Sequence, residues 1–410
     1  MELIQIAIIN VFAKILKFLF EIGTSFFVDK DTYGEFALIL SYILIFTKIS
    51  SFGIQNIMVR DVPKYKSQNY ISYLFFNSSI VIFLVSLVLF LALYQYNFSY
   101  INKYPNIFII FWLISLTILY STYLRSIQKV KLWIYFQDIQ LYLIYFSLLG
   151  ILYFIEDKKI SIDFILNIYT ISVIGTFLSV IIFVRFKHNL YLFSKISFDK
   201  IEYIATNSLP VLFTGLTYLV ISRIDIIMLD KYVSLELVGE YNIIARVTLQ
   251  VLFFNQVIVS YYYPRLAKMF SQKNSVEDIT TYNRKFVILS FLSVATVSIL
   301  LFIGVYYFSL FDILNIKNKE IFFSVFIILT ITQIVYSAIC FYGNILIYIH
   351  KQKMEYFNNL LVLILAIVLN IILIPTYGVV GASIATSIAL LLGNILQMIQ
   401  VRYFTGSLFI

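Results

Sequence analysis

The stretch Val220–Leu229 reads VISRIDIIML, with an arginine and an aspartate, Arg223 and Asp225, inside an otherwise apolar run. What two such charges do there depends on the solvent around them. The chain has 410 residues, of which 61% are hydrophobic and only 12% charged, and its mean hydropathy is +0.93. Soluble domains carry roughly 25% charged residues, so no water-soluble fold could hide this much apolar surface. Apolar windows of about 20 residues recur along the chain, each long enough to cross a hydrocarbon core of roughly 30 Å as a helix. The reading is an all-α polytopic membrane protein.

Twelve spans fit, at about 3–28, 34–57, 71–96, 106–124, 138–155, 162–184, 208–229, 237–262, 286–310, 321–349, 354–374 and 378–401. With the N-terminus in the cytoplasm, 18 basic residues fall in inside connections and seven in outside ones. The inside ones include Arg60, Lys64 and Lys66, and Arg185, Lys187, Lys195 and Lys200; Lys158 and Lys159 are outside, and Lys273 inside. The positive-inside rule then puts both termini in the cytoplasm. The net charge of +9 is accounted for by topology, with no need of nucleic acid. Lys14, Lys17 and Glu21 interrupt the first apolar stretch and no small-residue cleavage site follows, which reads as a retained helix and not a signal peptide. The single cysteine, Cys340, lies in an apolar segment and reads as a packed thiol.

An internal echo suggests duplication. TYGEFALI (Thr32–Ile39) resembles LVGEYNII (Leu237–Ile244), with Gly34 and Gly239 half a chain apart, and the same offset lays Arg60 on Arg265. This implies two six-helix lobes, 1–205 and 206–410, of like orientation and enclosing a central cleft.

Five basic residues are left inside spans: Lys14, Lys17, Lys48, Arg223 and Arg246. A charge at a helix centre costs roughly 2.5–3.5 kcal/mol on insertion scales, so these residues should face water or partners within the bundle. Lys14, Lys17 and Glu21 share one helical face. Arg223 and Asp225, two apart at about 100° per residue, should project to nearly opposite sides of their helix. Arg223 echoes Lys17, lying 16 residues before Gly239 as Lys17 lies 17 before Gly34. Cations in a low-dielectric cleft attract an anion, above all a phosphate or diphosphate. Lys14, Lys17, Lys48, Arg223 and Arg246 are therefore the candidate substrate-binding set. Glu21, Asp225 and Glu240 are candidates for ion coupling or charge pairing, and Tyr42 and Tyr241 could stack on sugars.

Enzyme readings fare poorly. His188 and His350 stand in inside connections without partners at catalytic or metal-ligand spacing, and read as solvated. There is no phosphate-binding glycine loop and no H-E-x-x-H.

Three motif groups resemble the polysaccharide-export, or O-antigen flippase, branch of the multidrug/oligosaccharidyl-lipid/polysaccharide exporter superfamily. The first is YGEF (Tyr33–Phe36) with SSFGIQNIMVRD (Ser50–Asp61) and KYK (Lys64–Lys66). The second is Pro210, RIDIIML (Arg223–Leu229), VGEY (Val238–Tyr241) and YPRL (Tyr263–Leu266). The third is PTYGVVGASIATSIA (Pro375–Ala389). The resemblance implies a MATE-like fold and movement of an undecaprenyl-diphosphate-linked oligosaccharide, an O-antigen or capsule repeat unit, across a bacterial inner membrane by alternating access. It implies no enzyme activity and no bound cofactor, with a proton or sodium gradient as the driving force by analogy. Partners would be the lipid-linked glycan and the bilayer, with a polysaccharide polymerase and chain-length regulator nearby. The alternatives are a multidrug or cation exporter, against which the basic excess argues, and a membrane glycan polymerase or ligase, for which the outer loops are short.

Overall fold

The structure is a computed structural model that describes residues 2–65, 67–155, 160–191, 193–272, 275–307 and 309–407. Lys66, Lys158, Lys159 and Lys273 lie outside the described residues, as does the side chain of Pro210.

Helices follow one another along the chain, with no strand among the described residues. The first ten are α1 (Glu2–Gly23), α2 (Lys30–Ser51), α3 (Ile54–Asp61), α4 (Gln68–Gln95), α5 (Ser99–Lys103), α6 (Asn106–Ser126), α7 (Val130–Ile134), α8 (Gln140–Ile155), α9 (Ile162–His188) and α10 (Phe198–Ile221). The remainder are α11 (Ile224–Leu229), α12 (Leu235–Leu249), α13 (Phe253–Ser271), α14 (Val276–Tyr307), α15 (Leu310–Ile313), α16 (Lys319–Ile339), α17 (Tyr342–Tyr348) and α18 (Gln352–Thr405). Among the described residues, nine helical stretches are long and apolar enough to cross a membrane. The longest, α18, is two arms joined at Gly378. With those arms taken separately and α1 and α10 added, helix occupies each place where the sequence predicts a span. The protein is a multi-pass helical membrane protein.

The chain divides into two compact units, Met1–Leu219 and Val220–Ile410. In the first, α6 packs against α2, α3, α4 and α9. Its inward face carries hydroxyls that let backbones approach: Ser115 Oγ donates to the Phe111 carbonyl at 2.7 Å and to that of Thr47 at 3.2 Å, and Ser126 Oγ reaches the Met58 carbonyl at 3.4 Å. Small hydroxyl residues are favoured at helix interfaces in lipid for this reason. Phe20 fills the centre of an aromatic cluster, its ring 4.8–5.8 Å from those of Phe36, Tyr142, Tyr145 and Tyr169.

Below this core Asp61 is buried at the end of α3 and gathers Arg60 (2.9 and 3.0 Å), Lys64 (2.8 Å) and the Tyr203 hydroxyl of α10 (2.9 Å). Burial works to raise the Asp61 carboxyl, but the hydrogen bonds from Arg60, Lys64 and Tyr203 outweigh it and hold it well below the usual carboxylate range.

In the second unit α16 packs on α12, α14 and α18. The arms of α18 are joined at their open end by amides: Asn358 and Gln400 exchange hydrogen bonds of 2.7 and 3.0 Å, and Gln397 donates to Glu355 at 2.9 Å. At the closed end Pro375 and Gly378 make the turn. Gly378 has φ 57° and ψ −131°, a conformation essentially restricted to glycine. One turn later a Cβ on Gly381 would overlap the Leu373 carbonyl. The PTYGVVG stretch is therefore a backbone requirement of the hairpin.

Gly378→Ala should cost about 1–3 kcal/mol and lower the thermal unfolding midpoint of the purified protein. Gly150→Ala, where a Cβ would meet nothing within 4 Å, is the control and should not lower it.

Candidate functional site

The seventh span departs from the sequence reading. It is not one helix over 208–229: α10 ends at Ile221, Ser222 and Arg223 form a turn, and α11 starts at Ile224. Arg223 has φ −135° and ψ −9° and occupies the N-cap position. The 100°-per-residue argument that set Arg223 and Asp225 on opposite sides of one helix therefore does not apply. Both side chains are buried, at 5% and 7% exposure.

Asp225 uses both carboxylate oxygens locally. Oδ1 accepts the Ile226 N–H at 2.8 Å, one of the donors that a helix start leaves unsatisfied. Oδ2 accepts the Tyr241 hydroxyl at 2.7 Å. Tyr241, on α12, is fully buried and so is not available to stack on a sugar, contrary to the expectation from sequence. The charge of Arg246, one turn further along α12, also acts on the Tyr241 phenol. Arg246 is itself buried, and its Nε donates to Asn242 Oδ1 at 3.2 Å. The second unit thus links Asp225, Tyr241 and Arg246 in one polar interior.

Glu240 is fully buried beside them with a different task. Its Oε1 accepts the Lys317 main-chain N–H at 2.7 Å, while the Lys317 ammonium pairs with Glu236 at 2.5 Å. It ties α12 to the turn before α16.

In the first unit, Lys14 and Lys17 are exposed on α1, while Glu21 is buried one turn on. The covering comes from Tyr33, whose hydroxyl donates to the Glu21 main-chain carbonyl, and from Tyr169, near enough to feel the Glu21 charge. Lys17 acts on a carboxylate that sequence reasoning did not single out, Asp138, in the π-helical turn Tyr135–Ile139 between α7 and α8. An acid at the edge of the apolar fifth span was the available signal. Lys48, on α2, is half-buried, and its ammonium and Cε occupy the space that Gly215 of α10 leaves by lacking a Cβ. Tyr42 is half-buried, its ring 4.9 Å from Phe98 and 5.7 Å from Tyr100. His188 is not simply solvated: it packs on Tyr123 and Phe183.

Tyr241→Phe removes the donor to a buried carboxylate, a loss of about 1–3 kcal/mol, and should lower the unfolding midpoint. Tyr96→Phe, at a phenol 86% exposed, should not; equal effects would mean that the Tyr241 hydroxyl does not hold Asp225.

Comparison with known proteins gives these elements a context. Over 178 residues, 43% of this chain, the sequence is 26% identical to a probable low-salt glycan biosynthesis flippase of Haloferax volcanii. The match spans 37% of that relative's length. Among solved structures, an inward-facing multidrug-resistance MATE-family transporter of the MOP superfamily superposes with a TM-score of 0.69 at 12% identity, over 97% of this chain and 95% of that one. The lipid II flippase MurJ in an inward closed conformation gives 0.67 at 16% identity, over 97% and 87%. These likenesses show the MATE-like fold. A family model described as polysaccharide biosynthesis protein matches residues 2–270, well over half of the chain, which therefore belongs to that family.

Proposed function

We propose that this protein is a flippase that carries an undecaprenyl-diphosphate-linked oligosaccharide, of the O-antigen or capsule repeat kind, across a bacterial inner membrane by alternating access. The observation that carries the reading is the sign of the charge inside the spans. Arg223 and Arg246 are buried in the second unit, Lys48 is half-buried in the first, and Lys14 and Lys17 are presented on one face of α1. Holding a guanidinium away from water is costly. A diphosphate gives that cost a use, because arginine matches its oxygens with forked donors and lysine adds a point charge. A cation exporter would gain nothing from such a set. Family membership and the likeness to a glycan biosynthesis flippase support the same reading.

Energy input from a proton or sodium gradient would enter at a buried carboxylate. Asp225 is the better placed of the candidates, being joined through Tyr241 to the field of Arg246. Glu240 accepts the Lys317 N–H, and Tyr33 donates to the Glu21 main-chain carbonyl. A polysaccharide polymerase and a chain-length regulator would act on the product in the outer leaflet.

Two expected outcomes test this. In proteoliposomes loaded with a defined polyprenyl-diphosphate oligosaccharide, Arg246→Gln should slow flipping roughly 10- to 150-fold, the equivalent of one charge-assisted hydrogen bond of about 1.5–3 kcal/mol. Lys14→Gln with Lys17→Gln should add to the loss, and flipping at the native rate in all three would overturn the reading. Asp225→Asn should leave downhill flipping measurable but insensitive to an imposed ion gradient; a retained response would exclude Asp225 as the coupling group.

A further inference from the structure

Between α9 and α10 the described residues 189–191 and 193–197 run without regular structure, yet four hydrogen bonds tie this part of the chain to α4. Gln68 Nε2 donates to the His188 carbonyl at 2.6 Å, and the Tyr191 N–H donates to Ser72 Oγ at 2.8 Å. The fully buried Asn77 takes both sides of the next stretch, donating to the Lys195 carbonyl at 3.0 Å and accepting the Ser197 N–H at 2.9 Å. Gln68 and Ser72 are one turn apart at the start of α4, and Asn77 lies more than a turn further along it. These bonds hold the main chain of the connector to α4.

Its depth follows from α4. At about 1.5 Å per residue, the 28 residues of α4 are about 12 Å longer than a hydrocarbon core of roughly 30 Å. The excess must lie at the Gln68 end, where QNYISYLFFNSS is rich in polar groups, because residues 80–93 read IVIFLVSLVLFLAL. That leaves about eight residues, 68–75, beyond the core, so Asn77 and the stretch it holds lie at the boundary between headgroups and hydrocarbon.

Phe193 and Ile196 of the connector, Phe186 at the end of α9 and Phe198 at the start of α10 are exposed, the phenylalanines by 80–84% and Ile196 by 62%. Arg185, half-buried with its guanidinium over the Tyr191 ring, Lys187, over Phe183, and Lys195 alternate with them, and no acid occurs from Arg185 to Phe198; Asp199 and Glu202 follow, with Lys200 between them turned onto Tyr70 and Tyr203. The strip continues the exposed apolar side of α9 at Ile171, Leu178 and Ile182. Aromatic side chains interleaved with cations at that boundary suit an interface in which rings enter the upper acyl region and cations meet phosphates.

We propose that this connector is a preformed docking surface for anionic phospholipid on the leaflet facing the basic connections. Its partner is the headgroup of a lipid such as phosphatidylglycerol, with the phenylalanines seated among the upper acyl carbons. The site stands independently of the transported substrate.

The test is lipid-dependent thermal unfolding of the full-length protein in detergent, titrated with phosphatidylglycerol or phosphatidylcholine. The native chain should be stabilised by phosphatidylglycerol at concentrations where phosphatidylcholine has little effect. The triple variant R185Q/K187Q/K195Q should need roughly tenfold more phosphatidylglycerol for the same rise, with its phosphatidylcholine response unchanged. F193S/F198S, which keeps the cations, should weaken the response to both lipids. If the triple variant cannot be purified folded, K195Q alone should still shift the phosphatidylglycerol titration severalfold. An equal response of the native chain to the two lipids, an unshifted titration in the variants, or full replacement of the lipid by inorganic phosphate would overturn the proposal.

Discussion

In hydrocarbon a main-chain N–H or C=O has no water to turn to, so every helix end and every break must find its partner within the protein. The interior of this molecule is organised by that requirement. Where α11 starts, Asp225 accepts the Ile226 N–H; where the chain turns before α16, Glu240 accepts the Lys317 N–H; where α9 gives way to the connector, Gln68, Ser72 and Asn77 take up the loose main chain. Two of these side chains, Asp225 and Glu240, also bring charge into the spans. The polar interior is thus first a solution to a backbone problem and then a resource for binding.

Close packing makes the arrangement precise. Hydroxyls on α6 bond to carbonyls of their own helix and of α2 and α3, so that serines stand where bulkier side chains would hold the helices apart. Gly215 leaves room for the Lys48 ammonium, and Gly381 lets the arms of α18 meet at the Leu373 carbonyl. At each place a missing side chain on one element admits a polar group of another.

Much of this was legible in the residues. Long apolar runs dictated the helices, since a span in lipid has few alternatives, and PTYGVVG marked its own turn through a glycine that only glycine's backbone freedom explains. The break at Ser222–Arg223 was not legible, because it contains neither glycine nor proline and depends on how Asp225 and Tyr241 meet across two helices. For the same reason the spacing argument does not extend from Arg223 to Asp225: a periodicity holds only while the helix does. The charge of Lys17 acts on Asp138, 121 positions away in sequence, and no local pattern could reveal that proximity. Tyr241 was noticed as an aromatic when its hydroxyl was the informative atom.

Asp225 and Arg246 act on a single phenol, and that has an energetic consequence. On the function proposed above, an anion drawn to Arg246 would offset its positive field at the Tyr241 hydroxyl, while a cation arriving at Asp225 would offset the negative charge that accepts the same hydroxyl. Each event alters the free energy of the other, and linkage requires the two effects to be equal. In a medium where a charge is weakly screened, such coupling reaches across one tyrosine without any wider rearrangement. If Arg246 and Asp225 hold the anion and the cation as proposed, a buried carboxylate that accepts a tyrosine hydroxyl within the field of a buried arginine makes the two binding events interdependent.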